Sequence, residues 1–479
     1  MKPPYRGRFA ASTPETRSDA DAAAVVKARF GAGHVAWLAM ACSILIWGTT
    51  ELRAGQLANT GNWYRITLVL VAAATCAFGL LRNAGRLSRA FGGPLILLLV
   101  YGVIGMVSAL YIPRYSLYSM WKASEFVIDV LAIGIVIGSV APRPSARLAY
   151  DIMLGLFATL VFVYWAEALI VPAAAFVPSR GLIPFSLQGV LPIMNGNAVA
   201  YVSAVVAFIA WCRMLGRRGA ARAGWSLVLA FAFGMLILAQ SRTSLVGFFV
   251  AVAVQLLFAR RFGLFGLAGV VAMFVVATGV GNVAERFFVR GQSPELFSSL
   301  SGRTLAWQAA WEAFLESPVL GHGFAAAARA DILGATGAST LHGAVFDVLV
   351  GVGLLGLVPW VAAIAWTSLR LLRLGIGAAR VRRDGDAVDR GTIAEMLGVL
   401  ALIIVRSTTS SGLALHEHEF MVFLAVLAFT ATAIPSRRTA EVRPTRARPG
   451  QYQARHPDAR TSAKPLVPRP APSARGRHV

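Results

Sequence analysis

Seven ionisable side chains are predicted to gather at one end of a largely apolar chain. Five are arginines and two are histidines: Arg242, Arg286, Arg290, Arg303, His322, His342 and Arg406. A planar guanidinium pairs bidentately with phosphoryl oxygens, so several arginines around one cavity suit a phosphate or diphosphate group. A histidine beside them suits proton transfer near neutral pH. The pattern predicts an anion site with an acid–base group.

Arg242 has the most informative position of these residues. It lies in a polar segment, residues 240–244, between apolar runs at residues 225–239 and 245–258. Each run is about long enough to cross a hydrocarbon core of roughly 30 Å as a helix. A charge at a tight turn on a membrane surface is costly unless it is needed. We therefore expect Arg242 to bind an anion.

Arg303 begins a segment, residues 303–315, with apolar residues at helical spacing and a predicted stop at Ser317 and Pro318. A cation at a helix N-terminus is unfavourable, and a bound anion would resolve this. One apolar face is expected to lie on the bundle or on the outer headgroup layer. That face is predicted to contain Trp307, Trp311, Phe314 and Leu315.

The elements that carry these residues are predicted to span a membrane. The 479 residues are 57% hydrophobic and only 14% charged, whereas soluble proteins carry about 25% charged residues. The fold class is therefore an all-α polytopic membrane protein with about twelve transmembrane helices. The predicted spans are residues 34–49, 64–81, 92–111, 124–140, 148–171, 196–212, 224–240, 244–259, 262–281, 343–369, 391–406 and 418–434.

Lysine and arginine are concentrated in both tails and in the alternate loops on the same side as the tails. The positive-inside rule then predicts a cytoplasmic N-terminal tail (1–33), a membrane domain (34–434) and a disordered basic cytoplasmic tail (435–479). A long loop, residues 282–342, lies on the outer face between spans nine and ten. We expect function there, because most other loops are short. No basic stripe with interleaved aromatic residues indicates a nucleic-acid partner.

Other motifs favour structural interpretations. His416-Glu417-His418-Glu419 resembles a metal-ligand cluster, but its histidines would lie on opposite faces of a helix, and an outer turn before span twelve is predicted. His322 and His342 are the other pair of residues that could bind a metal ion. Glycines at positions 351, 353 and 356 match a dinucleotide fingerprint without its strand, and are expected to let neighbouring helices approach closely.

Four motifs in order resemble the O-antigen ligase and Wzy-type polymerase family. They are Gln240-Ser-Arg242-Thr-Ser, Gly302-Arg303 with Trp307, Ser317-Pro-Val-Leu-Gly321-His-Gly323, and His342 followed by Gly353-Leu-Leu-Gly356. The twelve-span layout and the long outer loop are also similar. The motifs cover residues 225–360, and the topology covers the whole chain.

The resemblance implies a metal-independent, inverting glycosyltransferase of the GT-C type in the cytoplasmic (inner) membrane, without a cofactor. Its donor would be an undecaprenyl-diphosphate-linked glycan, and its acceptor a glycan or lipid-sugar hydroxyl on the outer face. By position, Arg242 and Arg303 would hold the diphosphate, and His342 would assist the attacking hydroxyl. Secondary candidates are Arg286, Arg290, Arg406 and Asp347. The family commonly has Asn after this histidine, where this chain has Gly343. If that Asn orients the acceptor or the imidazole, another residue must do so here, and Asp347 is the candidate.

Two other functions stay open. Arginines in a cavity also suit a transporter or flippase of a lipid-linked or anionic envelope precursor, although that class predicts internal repeats or broken helices near the midplane. A structural partner in an envelope complex would explain the basic tail but not the loop chemistry. Within the transferase hypothesis, ligase, polymerase and protein glycosyltransferase are equally compatible with the sequence.

Overall fold

The computed structural model describes residues 30–45, 60–111, 116–179, 183–267, 303–325, 341–377 and 390–433. All of these belong to Met1–Ile434, the first of two units into which the chain divides. Both predicted tails and most of the predicted outer loop lie outside the described residues. The domain boundaries therefore remain predictions.

The described residues are almost entirely helical. The helices and strands follow one another as α1 (Ala32–Ser43), α2 (Thr60–Ala90), α3 (Pro94–Tyr111), α4 (Ser116–Ile137), α5 (Pro142–Ile170), α6 (Pro172–Ala175), β1 (Phe176–Pro178), β2 (Phe185–Leu187), α7 (Gly196–Gly216), α8 (Gly219–Leu238), α9 (Arg242–Phe258), α10 (Arg303–Glu316), α11 (Ala344–Gly377), α12 (Arg390–Ser407) and α13 (His418–Ala433). The antiparallel hairpin of β1 and β2 was not predicted from the sequence.

Six helices in the described part are long and apolar enough to cross a membrane: Trp63–Arg82 within α2, and the whole of α3, α5, α7, α8 and α11. The helices α9 and α13 are apolar but have only 17 and 16 residues. The chain is thus a polytopic α-helical membrane protein, as expected from its composition. The number of twelve spans stays a prediction, and most of the predicted span 262–281 lies outside the described residues.

The centre of the bundle is formed by α7 and α13. Both are apolar on all sides and buried along most of their length, as expected for helices without a solvent or lipid face. α7 packs against α5, α8, α9 and α12, and α13 packs against α4, α5 and α12. By contrast, α2 and α8 expose large apolar side chains such as Leu70, Phe78, Leu227 and Phe231. These helices form the periphery that faces lipid.

A break in α11 joins two of the motifs noted in the sequence. Gly353 has φ 58° and ψ −158°, which interrupts the helix. Residues 318–323, here called the insert, pack against this break through four backbone hydrogen bonds. The N–H groups of His322 and Gly323 donate to the carbonyls of Val350 and Gly351, each at 2.8 Å, and those of Leu354 and Leu355 donate to Pro318 and Val319 at 2.9 and 3.1 Å. Gly351 and Gly353 therefore leave room for the insert, whereas Gly356 lies against Tyr101 of α3, which is the close approach of helices that the sequence predicted.

Substituting Gly353 with alanine should destabilise this junction. A side chain at φ 58° costs about 1–3 kcal/mol, and the added Cβ would also collide with the Val319 carbonyl oxygen. We expect a lower unfolding temperature in detergent, measured by differential scanning fluorimetry. Gly155→Ala in α5 is the matched control, because nothing lies within 4 Å of its Cβ position. Equal unfolding temperatures for the two variants would contradict this account of the break.

Candidate functional site

Arg242 is the first residue of α9 and follows a turn at Gln240 that side-chain hydrogen bonds hold in place. Gln240 has a left-handed φ of 54° and is buried. Its Nε2 donates to the carbonyls of Ile183 and Phe185 at 3.1 and 2.5 Å, and its Oε1 accepts from Ser179 Oγ at 3.1 Å. The hairpin region therefore fixes the turn that presents Arg242.

The start of α9 has the features of an anion-binding helix end. Ser241 is its N-cap, and the hydroxyls of Ser241 and Ser244 are buried without a hydrogen-bond partner among the described residues. The first turn of a helix also has backbone N–H groups that no helical carbonyl satisfies, together with the positive end of the helix dipole. These donors suit a negatively charged group beside Arg242.

Arg303 is likewise the first residue of its helix, α10. The buried face of α10 is formed mainly by alanine: Ala306, Ala310, Ala313 and Phe314. Trp311 and Leu315 are 49% and 59% exposed, so these two members of the predicted face do not pack on the bundle, and their contact with the outer headgroup layer stays a prediction. The small alanines let α10 approach the bundle closely, whereas Trp311 and Leu315 point away from it. The helix ends at Glu316, before Ser317 and Pro318 as predicted.

Trp307 docks the beginning of α10 onto the beginning of α11. Its indole Nε1 donates to the Leu341 carbonyl at 2.9 Å, and its ring stacks on Phe346 with centroids 5.5 Å apart. Near the other end of α10, His322 Nε2 lies 2.7 Å from the Ala313 carbonyl oxygen. These contacts bring Arg303 close to His342. Burial lowers the pKa of the Arg303 guanidinium, and the positive charges of Arg406 and Arg242 lower it further.

His342 lies two residues before the start of α11 and is exposed at the surface of this cluster. Its φ of 48° is in the left-handed region, which costs energy for a residue other than glycine and is often associated with functional sites. Packing around the ring lowers the pKa of the His342 imidazole, and the nearby charges of Arg303 and Arg406 lower it further. The imidazole is therefore predominantly neutral at pH 7, which is the form that accepts a proton.

Arg406, a secondary candidate in the sequence, belongs to the same cluster. It lies in the last turn of α12 and is 5% exposed. Its Nη1 donates to Thr243 Oγ1 at 3.3 Å, beside Arg242, and its Nη2 donates to the Asn197 carbonyl at 3.4 Å. Its Nε lies 3.6 Å from Glu419 Oε1. Arg406 therefore links the starts of α7 and α9 to the start of α13.

The structure thus brings together Arg242, Arg303, Arg406 and His342. Three helices, α9, α10 and α11, begin at this cluster, so their positive dipole ends add to the three guanidinium charges. The arrangement can bind a group with more than one negative charge, and it places a neutral imidazole at the exposed edge.

Asp347 and Gly343 lie on either side of the first residue of α11. Asp347 is buried in the first turn of α11 and its carboxylate hydrogen-bonds Ser411. It thereby supports the turn between α12 and α13, and a part in orienting His342 stays a prediction. A Cβ at Gly343 would lie 3.3 Å from Trp307 Nε1. A side chain as large as Asn would displace Trp307, which gives a physical reason for glycine here.

The remaining candidates are two arginines of the predicted outer loop and the histidines of the metal-like motif. Arg286 and Arg290 lie outside the described residues. In the His416–Glu419 motif, His416 Nδ1 lies 2.6 Å from Asp129 Oδ2 and its Nε2 lies 2.9 Å from Ser43 Oγ. His418 packs against the ring of Phe157 instead. Within the described ranges, no group of three or more His, Cys, Asp or Glu residues is arranged to hold a metal ion.

Glu419 is the site residue that sequence reasoning missed. It was grouped with a metal-like motif, although the structure places its carboxylate next to Arg406. An acidic residue just after a polar turn, at the start of an apolar span, was the available signal, because a buried carboxylate requires a positive partner.

Comparison with known proteins supports the resemblance. A family model described as O-antigen ligase matches residues 227–361. The match covers the Arg242 turn, the helix that begins at Arg303, His342 and the break at Gly353, so the family resemblance predicted from these motifs is confirmed over this segment. Arg406 and Glu419 lie beyond it. No curated protein matches the chain.

Proposed function

We propose that this protein transfers a glycan from an undecaprenyl-diphosphate-linked donor to an acceptor hydroxyl at the outer face of the cytoplasmic membrane. The reaction would be metal-independent and would invert the anomeric centre. It would assemble a surface polysaccharide as a ligase or a polymerase. The observation that carries this proposal is the convergence of three arginines and three helix N-termini around one exposed neutral histidine, within and beside the segment that matches O-antigen ligase.

Arg242, Arg303 and His342 then each have a role in the proposed reaction. The acceptor oxygen attacks the anomeric carbon, and the bond from that carbon to the diphosphate oxygen breaks. The leaving diphosphate takes the bonding electrons, and Arg242 and Arg303 stabilise its new charge through bidentate hydrogen bonds. His342 accepts the proton of the attacking hydroxyl. Because the site aligns donor and acceptor, much of the gain in rate comes from proximity.

Transfer in proteoliposomes tests this function. Purified protein would be supplied with an undecaprenyl-diphosphate oligosaccharide and, in separate reactions, a lipid-linked core sugar, a second donor molecule or a peptide with hydroxyl side chains. We expect a glycosylated acceptor and released undecaprenyl diphosphate in equal amounts, unaffected by a chelator. The productive acceptor identifies the class of enzyme. Donor that crosses the bilayer unmodified, with no product from any acceptor, would favour a flippase instead.

The pH dependence of transfer should report on His342. Its lowered pKa predicts an acidic limb below about pH 6.5, with activity lost as the imidazole becomes protonated. Arg406→Gln removes one of the positive charges that lower this pKa, so the acidic limb should move to higher pH. The measurement is the rate of single-turnover transfer between pH 4.5 and 8.5 for both proteins. An unmoved limb in Arg406→Gln would contradict the electrostatic coupling of these two residues.

A further inference from the structure

Two arginine–glutamate pairs in the described part of the protein, Arg65–Glu125 and Arg406–Glu419, have very different geometries. Arg65 donates to both carboxylate oxygens of Glu125 at 2.6 and 2.7 Å, as expected for a pair that holds two helices together. Arg406 and Glu419 are separated by 3.6 Å, which is too long for a hydrogen bond. The second pair therefore contributes charge more than structural connection.

The Glu419 carboxylate is held in place without Arg406. Ser410 Oγ donates to Glu419 Oε1 at 2.9 Å, and the Ser410 hydroxyl also accepts from the Gly412 N–H at 3.2 Å. A Cβ at Gly412 would collide with the Glu419 carboxylate, so the turn closes tightly around this group. Among the described residues, the Arg406 guanidinium makes longer hydrogen bonds, at 3.3 and 3.4 Å, with Thr243 and Asn197. A fixed negative charge thus lies beside the Arg406 guanidinium without a hydrogen bond to it.

Glu419 lowers the positive charge of this cluster. Among the described residues, Arg242, Arg303 and Arg406 contribute three guanidinium charges to the cluster, and Glu419 contributes a carboxylate beside Arg406. A glycosylated lipid diphosphate carries about two negative charges, one on each phosphoryl group. The lipid diphosphate released by transfer gains a further ionisable oxygen, with a pKa near 6, and so carries nearly three at pH 7. Each positive charge at the site therefore strengthens binding of the product more than binding of the donor.

From this charge balance, and resting on the function proposed above, we propose that Glu419 is a positioning residue that limits the affinity of the site for the lipid diphosphate product. It offsets Arg406 in the resting site, so that the product does not remain bound after transfer. Without this carboxylate, the site would carry one more positive charge, which would strengthen binding of the more negative product more than binding of the donor.

The charge can be changed with little change of shape. Glu419→Gln keeps an oxygen that accepts from Ser410, and should bind undecaprenyl diphosphate on the order of tenfold more tightly. A first turnover should still occur, whereas repeated turnover should slow by a similar factor through inhibition by product. Ser410→Ala is the matched control, because it removes the hydrogen bond and keeps the charge. We expect it to change product affinity by less than about twofold.

A double variant separates charge from structure. Arg406→Gln lowers the net charge by one and should weaken product binding, and the combination Arg406→Gln with Glu419→Gln should restore it to near the wild-type value. A purely structural role for Glu419 would make the double variant worse than either single variant, which would overturn the inference. The inference would also be overturned if Glu419→Gln bound the product no more tightly than wild type while Arg242→Ala lost product binding. If Arg242→Ala also retained full product affinity, the proposed function itself would fail.

Discussion

Replacing Arg242 with alanine is expected to abolish detectable glycan transfer, with a loss of at least about 10³-fold in the rate of the single-turnover reaction. The guanidinium at the start of α9 is proposed to stabilise the charge that develops on the departing diphosphate, and that charge is largest in the transition state. Arg242→Lys should recover only part of the rate, because an ammonium group lacks the planar fork. The measurement is transfer of labelled glycan in proteoliposomes with matched amounts of inserted protein.

Arg222→Ala provides a matched control for this prediction. Arg222 is an exposed arginine in the first turn of α8, whereas Arg242 follows the last turn of the same helix, so the two lie at opposite ends of α8. Removing Arg222 should leave the transfer rate within about twofold of wild type. Wild-type transfer by Arg242→Ala, with protein that is inserted and stable, would remove Arg242 from the diphosphate role.

The second large effect is expected for His342→Ala. Loss of a positioned proton acceptor lowers a reaction by roughly 10²–10⁴-fold. Because His342 lies at the exposed edge of the cluster and the three arginines remain, affinity for the donor should change by less than about threefold. Single-turnover rates and equilibrium binding of a donor analogue separate the two quantities.

Added imidazole gives a further check on His342. A small base that enters the space left by the side chain should restore part of the activity of His342→Ala, and should not stimulate Arg242→Ala. Unchanged turnover of His342→Ala would exclude proton transfer by this residue. A loss of donor affinity as large as the loss of rate would assign it to binding.

The residues proposed to hold the diphosphate could be found from the sequence because each interrupts an apolar or amphipathic pattern. Arg242 separates two apolar runs, and Arg303 begins a helix where a cation is unfavourable. The structure places both at helix starts in one cluster with His342. The local sequence pattern was sufficient to single out these two arginines, because the free-energy cost of placing a charge at such a position depends on the neighbouring residues in the sequence.

The contribution of Arg406 and Glu419 depends on tertiary packing, which no local pattern contains. They approach each other only because the turn between α12 and α13 folds back, held by contacts from Tyr101 and Trp360 to the carbonyls of Ala414 and Leu413. The burial of the alanines of α10 was not predicted, for a related reason. Hydrophobicity favoured its large side chains, whereas close approach to the bundle favours alanine.

The break in α11 shows a similar limit. The glycines at 351, 353 and 356 were recognised as positions of close approach by helices. A neighbouring helix does approach Gly356, through Tyr101 of α3, but the segment that approaches Gly351 and Gly353 comes from residues 318–323. A sequence shows where a backbone is accessible. It does not show which segment will supply the hydrogen bonds that a broken helix requires.

The most direct test of the account is the position of the donor in an experimental structure. The protein would be reconstituted in nanodiscs with a non-cleavable phosphonate analogue of an undecaprenyl-diphosphate glycan and imaged by electron cryomicroscopy. The account predicts density for both phosphoryl groups within hydrogen-bonding distance of Arg242 and Arg303, with the anomeric carbon facing His342. Diphosphate density at another site, such as the arginines at the opposite end of the bundle, Arg147 and Arg213, would contradict it.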